Sequence, residues 1–384
     1  MSKLEELLKG VDVEWIKLGN EQFIEIANNG RKPVKASLRS SGEIPYYGAN
    51  NIQDYVEGFT HDGEYVLIAE DGSSSLENYS IQYANGKFWA NNHVHVLKGK
   101  NSIETKFLYY YLKIINFTPY LTGGERAKLT KGRMLEIQIP IPPIEIQQEI
   151  VRVLDELTTL TNQLTTELET ERQNRKKQFE FFREQLFRFE EGKAEWKSLK
   201  DVAEYSKKRI NFTFLNESNY VGVDNLLQNR GGKINSKHIP TEGNSTAFLT
   251  NNILIGNIRP YLKKIWLADC DGGSNGDVLV INIYDKIIHH KYLYHILSSD
   301  EFFKYNMQHA KGAKMPRGNK QKIMEYIFPI PSLAEQERIV KLLDQFDATY
   351  TAIEEEITKE IKLRTQQYEY YREKLLSLPS LRTT

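Results

Sequence analysis

Apolar positions along this chain follow two rhythms. From Ile144 onward, Ile146, Ile150, Val153, Leu157, Leu160 and Leu164 recur at spacings of four and three, the period of a helix with one apolar seam. The rhythm returns at Ile339, Leu342, Phe346, Ile353 and Ile357. Prolines set where each helix begins. Pro140, Pro142 and Pro143 forbid helix before Ile144, and Pro329 and Pro331 do the same in the second stretch. Gly192 and Pro379 are the expected stops. Each helix then has about 40 residues and runs about 60 Å. No domain core buries a helix along such a length, so the two seams are expected to pack on each other. Thr349 stands where the first seam has Leu160, an imperfection in that contact.

Between the helices the rhythm changes. Short apolar runs bounded by Gly and Asn predict strands at residues 65–69, 94–97, 252–256 and 277–281. Residues 107–115 and 292–297 have helical spacing. The fold class is therefore α+β, with two globular segments alternating with two long helices. The segments run over residues 1–143, 144–190, 191–331 and 332–384.

The chain also repeats itself. Ile139-Pro140-Ile141-Pro142-Pro143 returns as Phe328-Pro329-Ile330-Pro331-Ser332. Phe179-Glu180-Phe181-Phe182-Arg183-Glu184 returns as Tyr368-Glu369-Tyr370-Tyr371-Arg372-Glu373. Both pairs lie 189 residues apart, and residues 139–187 align without a gap on 328–376, with 16 identities in 49 positions. Among these are Gln147/Gln336, Ile150/Ile339 and Asp155/Asp344. Residues 123–133 align with 312–322 at the same offset, and Trp15-Ile16-Lys17-Leu18 resembles Trp196-Lys197-Ser198-Leu199. A register kept over such a span marks two half-molecules.

Composition sharpens this picture mainly through charge. The 384 residues carry 51 basic and 51 acidic groups, a net charge of zero that argues against nucleic acid at first sight. Division by segment removes that objection. Residues 1–143 carry 16 basic and 17 acidic groups (net −1), and 144–195 carry 8 and 12 (net −4). Residues 196–331 carry 19 and 12 (net +7), and 332–384 carry 8 and 10 (net −2). Lys311, Lys314, Arg317, Lys320 and Lys322 fall within twelve residues without an acid. Their aligned counterpart holds Arg126, Lys128, Lys131 and Arg133 against Glu125, and the first segment's basic character is read there. Gly-containing basic loops at equivalent places suit phosphate contact, where Lys and Arg displace condensed counterions. For one run alone, a solvated surface would suffice. No apolar run approaches a membrane span, and the N-terminal residues lack a secretory pattern. With Cys270 as the single cysteine, a reducing, cytoplasmic setting is expected.

Catalytic motifs are not found. There is no phosphate-binding P-loop and no HExxH. Gly231-Gly232 and Gly272-Gly273 read as turn glycines. His93 and His95 alternate on a strand and so share a face, but lack a third ligand nearby. His289-His290 reads as a surface pair. Asn257-Ile258-Arg259-Pro260-Tyr261 reads as a strand end and turn. Glu70-Asp71 follows a strand without the Lys of a nuclease motif. Glu354-Glu355-Glu356 reads as a solvated helix face, and Tyr46, Tyr65 and Trp266 as core.

The ordered set of features resembles the specificity subunit of bacterial type I restriction–modification enzymes, across essentially the whole chain. The duplicated Ile-Pro-Ile-Pro region with its long helix ending in an aromatic-Glu-aromatic-aromatic-Arg-Glu run carries the resemblance. Ile44-Pro45-Tyr46-Tyr47-Gly48, Tyr65 through Gly72 and Glu335-Gln336-Glu337-Arg338-Ile339 add to it. It implies that each globular segment is a target recognition domain reading one half of a bipartite, asymmetric DNA sequence. The helices would pair as an antiparallel coiled coil that sets the unread spacer. Double-stranded DNA, two modification (methyltransferase) subunits and restriction/translocase subunits would be the partners. S-adenosylmethionine, ATP and magnesium would belong to those partners, with no cofactor, metal or catalytic residue in this chain. Candidate DNA contacts are side chains able to meet base edges or phosphates. In the first segment they are Tyr47, Asn50, Asn51, Ser73, Ser74, Arg126, Lys128 and Lys131. In the second they are Tyr220, Asn225, Arg259, Lys263, Lys314, Arg317, Asn319 and Lys320. Two alternatives stand beside this reading: the specificity partner of a type II restriction–methylation enzyme, and a coiled-coil scaffold with peptide-binding domains.

Overall fold

A computed structural model of the chain describes residues 8–123 and 127–379. It divides into two compact units, Met1–Leu168 with Thr358–Thr384, and Glu169–Ile357. Each unit holds one globular segment and part of each long helix.

The first globular segment is built on two four-stranded sheets. One has the order Ile24–Ile26, Val94–Gly99, Tyr65–Ala69, Ile81–Ala84, all antiparallel. Strand Tyr65–Ala69 stands where the sequence predicts it, and its apolar run is continuous because both faces are covered. Val66 and Ile68 enter a core with Leu97, Leu108 and Leu112, whereas Leu67 points into a second core with Tyr47, Phe88 and Val96. The second sheet has the order Asn51–Val56, Ser41–Gly48, Lys87–Ala90, His61–Asp62, with its two middle strands parallel.

The second globular segment repeats this plan. Ala203–Tyr205, Val278–Ile283, Ile253–Gly256 and Ile265–Leu267 form one sheet, in that order. Arg209–Asn211, Asn244–Phe248, Gly272–Ser274 and Tyr220–Val221 form the other. Ile253 and Ile255 face the core that holds Tyr292 and Leu293, and Leu254 faces Phe248 and Trp266. Gly272 and Gly273 are therefore strand residues, not turn residues. A Cβ on Gly272 would stand 2.0 Å from the Asn219 carbonyl, so the strand passes where no side chain fits. A separate two-stranded ribbon closes each segment: Glu14–Lys17 against Gln138–Ile141, and Glu195–Ser198 against Ile327–Ile330.

The long helices span Ile144–Gln185 (42 residues) and Leu333–Leu376 (44 residues). Each starts directly after its proline motif and is rooted by a glutamine. Gln147 is fully buried; its Oε1 accepts from Glu104 N (2.9 Å), and its Nε2 donates to the carbonyls of Ser102 and Pro142 (both 2.8 Å). Gln336 repeats every bond, accepting from His289 N (2.8 Å) and donating to Ile287 O and Pro331 O (2.8 and 2.9 Å). Two turns later, Asp155 accepts from Lys106 Nζ and Tyr110 OH (2.7 and 2.6 Å). Asp344 meets Lys291 Nζ (2.7 Å) and His295 Nε2 (3.4 Å).

The helices pair in antiparallel fashion within each unit. In the first, Ile150 and Leu154 pack with Leu375 and Leu376, and the hydroxyls of Thr158 and Tyr368 lie 3.2 Å apart. In the second, Arg172 meets Glu354 at 3.2 Å, and Phe179 stacks on Tyr350 with ring centroids 5.3 Å apart. Two expectations are corrected. Glu354 faces a cation on the partner helix and is not a freely solvated side chain. The apolar seam is also not one straight line, since Leu154 is buried while Leu160 is 62% exposed. The first turns of each helix pack against their own globular segment as well as against the other helix. Ile150 and Leu154 pack with Phe107 and Tyr110, and Ile339, Val340 and Leu343 join the core around Tyr292.

Candidate nucleic-acid interface

Each basic run adjoins a pair of backbone hydrogen bonds that brings two points of the chain together. Thr122 and Lys128 exchange them at 2.9 and 2.7 Å, and Lys311 and Arg317 at 2.9 and 2.8 Å. The two closures lie 189 residues apart, the offset of the repeat. Each loop leads into a short capped helix. Thr130 Oγ1 accepts from Arg133 N ahead of Lys131–Leu135, and Asn319 Oδ1 accepts from Gln321 N and Lys322 N ahead of Lys320–Met324. Capping is thus the structural part played by the candidate Asn319.

Each loop docks on the residue that follows the central strand, Glu70 or Asn257. Leu129 N donates to Glu70 O (2.8 Å), and Gly318 N donates to Asn257 O (3.0 Å). The side chains at these equivalent positions differ. The Glu70 carboxylate receives Arg31 (2.7 Å) and Lys128 (3.0 Å), with His95 Nδ1 at 3.8 Å. Burial pushes the Glu70 carboxyl up, but the hydrogen bonds from Arg31 and Lys128 and the His95 ring together outweigh it, and the net shift is down. Asn257 is a buried neutral amide. A Cβ placed on Gly318 would lie 2.7 Å from its Oδ1 and 2.5 Å from Asn306 Oδ1, so only glycine lets the loop rest on these two amides. Arg317 turns outward to Asp277 (3.2 Å) and stays 58% exposed.

The candidate residues separate into groups. In the second unit, Arg259, Lys314, Arg317, Asn319 and Lys320 come together. Arg259 N donates to Pro316 O within the basic loop (2.7 Å), and Arg259 holds a left-handed conformation (φ 52°) with its side chain exposed. Lys314 and Lys320 are exposed. Lys263 lies elsewhere. It is paired to Asp300 (2.8 Å) and lines a cavity of about 520 Å³ with Arg183, Arg230 and His295. Asn225 is buried and fully engaged, accepting from Gly222 N and donating to Tyr220 O and Ile234 O, so it shapes a loop. Tyr220 sits on the same strand–loop, with its phenol pushed up by burial and then by Asp224.

In the first unit, Asn50, Ser74 and Lys128 gather around residues 70–74. Asn50 donates to Gly72 O and accepts from Ser74 N (both 2.7 Å), and Asp71 pairs its backbone with Lys128. Ser73 is turned inward, donating to Ser75 O and accepting from Ser80 N. Tyr47 is buried, and with Asn50, Asn51, Gln82 and Arg372 it lines a polar cleft of about 540 Å³. Lys131 is exposed. Arg126 lies outside the described residues. His93 and His95 do not share an environment: His93 is exposed and meets Asp71, whereas His95 is buried and bonds to Asn28 and Leu129 O.

These geometries have counterparts among known proteins. Residues 12–171 and 192–363 both match the type I restriction modification DNA specificity domain. A putative type I restriction enzyme specificity subunit of Haemophilus influenzae is 41% identical over 399 residues, covering 97% of this chain and 98% of its own. The chain belongs to the type I restriction–modification specificity family. The specificity subunit of the Escherichia coli EcoR124I/EcoR124II enzyme is 29% identical over 420 residues, covering 100% of this chain and 98% of its own. Two solved structures share the fold at 14% identity. One, from a study of complex assembly in the type I R-M system, covers 96% of this chain and 98% of its own (TM-score 0.68). The other, an HsdS subunit from Thermoanaerobacter tengcongensis, covers 96% and 97% (TM-score 0.54).

Within this family architecture, sequence reasoning missed one basic stretch. Arg31, Lys32, Lys35 and Arg39 lie within nine residues without an acid, so the basic character of the first segment is not confined to residues 126–133. The run itself was the available signal. Arg31 is spent on Glu70, while Lys32 and Lys35 are exposed. Among the described residues, no three His, Cys, Asp or Glu side chains converge as a metal-ligand set, and no helix is long and apolar enough to cross a membrane.

Proposed function

We propose that each globular segment of this specificity-family chain reads one half of a bipartite DNA target. The observation that carries this is the loop-and-capped-helix at equivalent positions of both units, each bearing exposed cations. Lys131 serves on one side, and Arg259, Lys314, Arg317 and Lys320 on the other. Phosphates are positioned by such residues, and base edges are read by Asn, Ser and Arg side chains beside them. The paired helices set the number of unread base pairs between the halves. The chain itself is non-catalytic. Two modification subunits supply adenine methylation with S-adenosylmethionine, and restriction subunits use ATP and magnesium, all in the cytoplasm.

Single-molecule sequencing of methylated adenines in the host tests this reading. The expected result is one bipartite, asymmetric motif. Duplexes carrying it should bind the complex of this chain with its modification subunits, with an affinity that falls steeply as salt rises. A complex that bound all duplexes equally would sink the proposal.

A further inference from the structure

No described large apolar side chain is more exposed than Leu38 or Phe214, both at 71%. They occupy corresponding places in the two globular segments. Leu38 lies in the connection from strand Ile24–Ile26 to strand Ser41–Gly48, and Phe214 between Ala203–Tyr205 and Tyr220–Val221, directly after the short added strand Arg209–Asn211. In both segments the receiving strand runs parallel to its neighbour, Lys87–Ala90 or Gly272–Ser274. Each apolar residue is the third position of a 3-10 turn, Ala36–Leu38 or Phe212–Phe214.

The exposure is built in. Leu38 N donates to Lys35 O (2.9 Å), Val34 N donates to Tyr46 OH (3.1 Å), and Arg39 bonds Val34 O while its guanidinium lies 4.2 Å from the Tyr46 ring centroid. In the other segment, Asn211 Oδ1 accepts from Thr213 N and Thr213 Oγ1 (3.1 and 2.9 Å), and Asn219 Nδ2 donates to Phe214 O (3.0 Å). A single exposed apolar tip neither stabilises nor opposes folding; its recurrence at a hydrogen-bonded turn in both segments is what points to a partner. The surroundings name the partner's charge. Lys32 and Lys35 flank one tip, where Arg39 is already paired to Asp54 (3.3 Å), and Lys207, Lys208 and Arg209 precede the other. No acid occurs from residue 27 to 42 or from 205 to 216.

We propose that Leu38 and Phe214 are apolar wedges that enter the DNA duplex, one in each half-site, while the flanking cations hold the adjacent phosphates. Leu and Phe are side chains that part stacked base steps, and the basic setting favours a polyanion over a protein surface. This inference rests on the DNA-recognition reading above.

The test uses the full chain in complex with its modification subunits. The probe is a duplex bearing the motif read from host adenine methylation, with 2-aminopurine placed at successive steps. The wild-type complex should brighten one step in each half-site. Leu38→Ala should abolish the signal in one half and Phe214→Ala in the other, each weakening binding by roughly tenfold to hundredfold without changing the salt slope. Phe214→Leu should restore most of the signal, and Lys208→Gln should lower the salt slope. Alanine variants with wild-type affinity and signal would overturn the wedge and leave DNA recognition standing. A wild-type complex that binds tightly without brightening any step would also overturn it. So would alanine variants that lose the modification subunits and not the DNA, since the tips would then be protein contacts. A wild-type complex with no preference for the motif would refute the recognition reading itself.

Discussion

The same basic loop is seated on a charge in one half of the molecule and on neutral amides in the other. In the first half, Glu70 draws in Arg31, which is largely buried, and Lys128, whose side chain stays 44% exposed, so both cations are tied to the fold. In the second, Asn257 and Asn306 seat the loop, and Arg317, at the position of Lys128, stays largely in solvent. Equivalent residues of a repeat thus divide between holding the fold and facing solvent, and the residue beneath them decides which.

The largest expected effect breaks this comparison directly. Glu70→Ala should destabilise the first unit by about 2–4 kcal/mol, because Arg31 is left half-buried without its counter-charge. Asn257→Ala should cost the second unit less than about 1 kcal/mol, since Asn257 Oδ1 has no partner among the described residues. Thermal denaturation of both variants measures the contrast, and equal losses would refute it.

Next come the glutamine roots, where the halves agree. Gln147→Ala and Gln336→Ala should each cost about 1–3 kcal/mol by stranding a buried backbone N–H and two carbonyls. Unequal losses would show that one helix root is dispensable.

A smaller effect sharpens the division of labour. Arg317→Gln should lower the slope of log affinity against log salt by about one, with little change in stability. Lys128→Gln should do the reverse, and binding titrations at several salt concentrations separate them.

The smallest effect is that of pH. Burial lowers the pKa of both His95 and His295 below the ordinary value, although bonds to Leu129 O and Asp344 act the other way. Each binds its proton less readily when folded, so the unfolded chain binds more protons, and stability present above about pH 6.5 declines as pH falls. His295→Asn should flatten that decline in the second unit alone. Asp344 contributes little there, because its bond from His295, with help from Lys291, holds its carboxyl down to about 2.

The repeat made much of this legible. A constant offset of 189 located both helices, both proline motifs and both basic loops, and apolar runs located the central strands. Contacts between residues far apart in the chain were not legible. Arg31 and Glu70 are 39 positions apart, and nothing local marks them as partners. The exposure of Leu160 was missed because a heptad pattern assumes one partner, whereas the first turns of each helix are shared between a globular segment and the other helix. Gly272 and Gly273 were misread because periodicity sees side chains, and these residues are selected by the backbone packed against them.

The glutamine roots have a consequence for heredity. Every candidate DNA contact lies between a ribbon strand, Glu14–Lys17 or Glu195–Ser198, and the helix turn held by Gln147 or Gln336. The glutamine part of each attachment is made to main-chain groups and so places few demands on the sequence in between, while the side chains that pack on the next helix turns, such as Phe107, Tyr110 and Tyr292, travel with the segment. Recombination within the two repeated stretches would therefore deliver a whole recognition cassette already seated on its helix, and a lineage could change its target in one event without relearning how to fold.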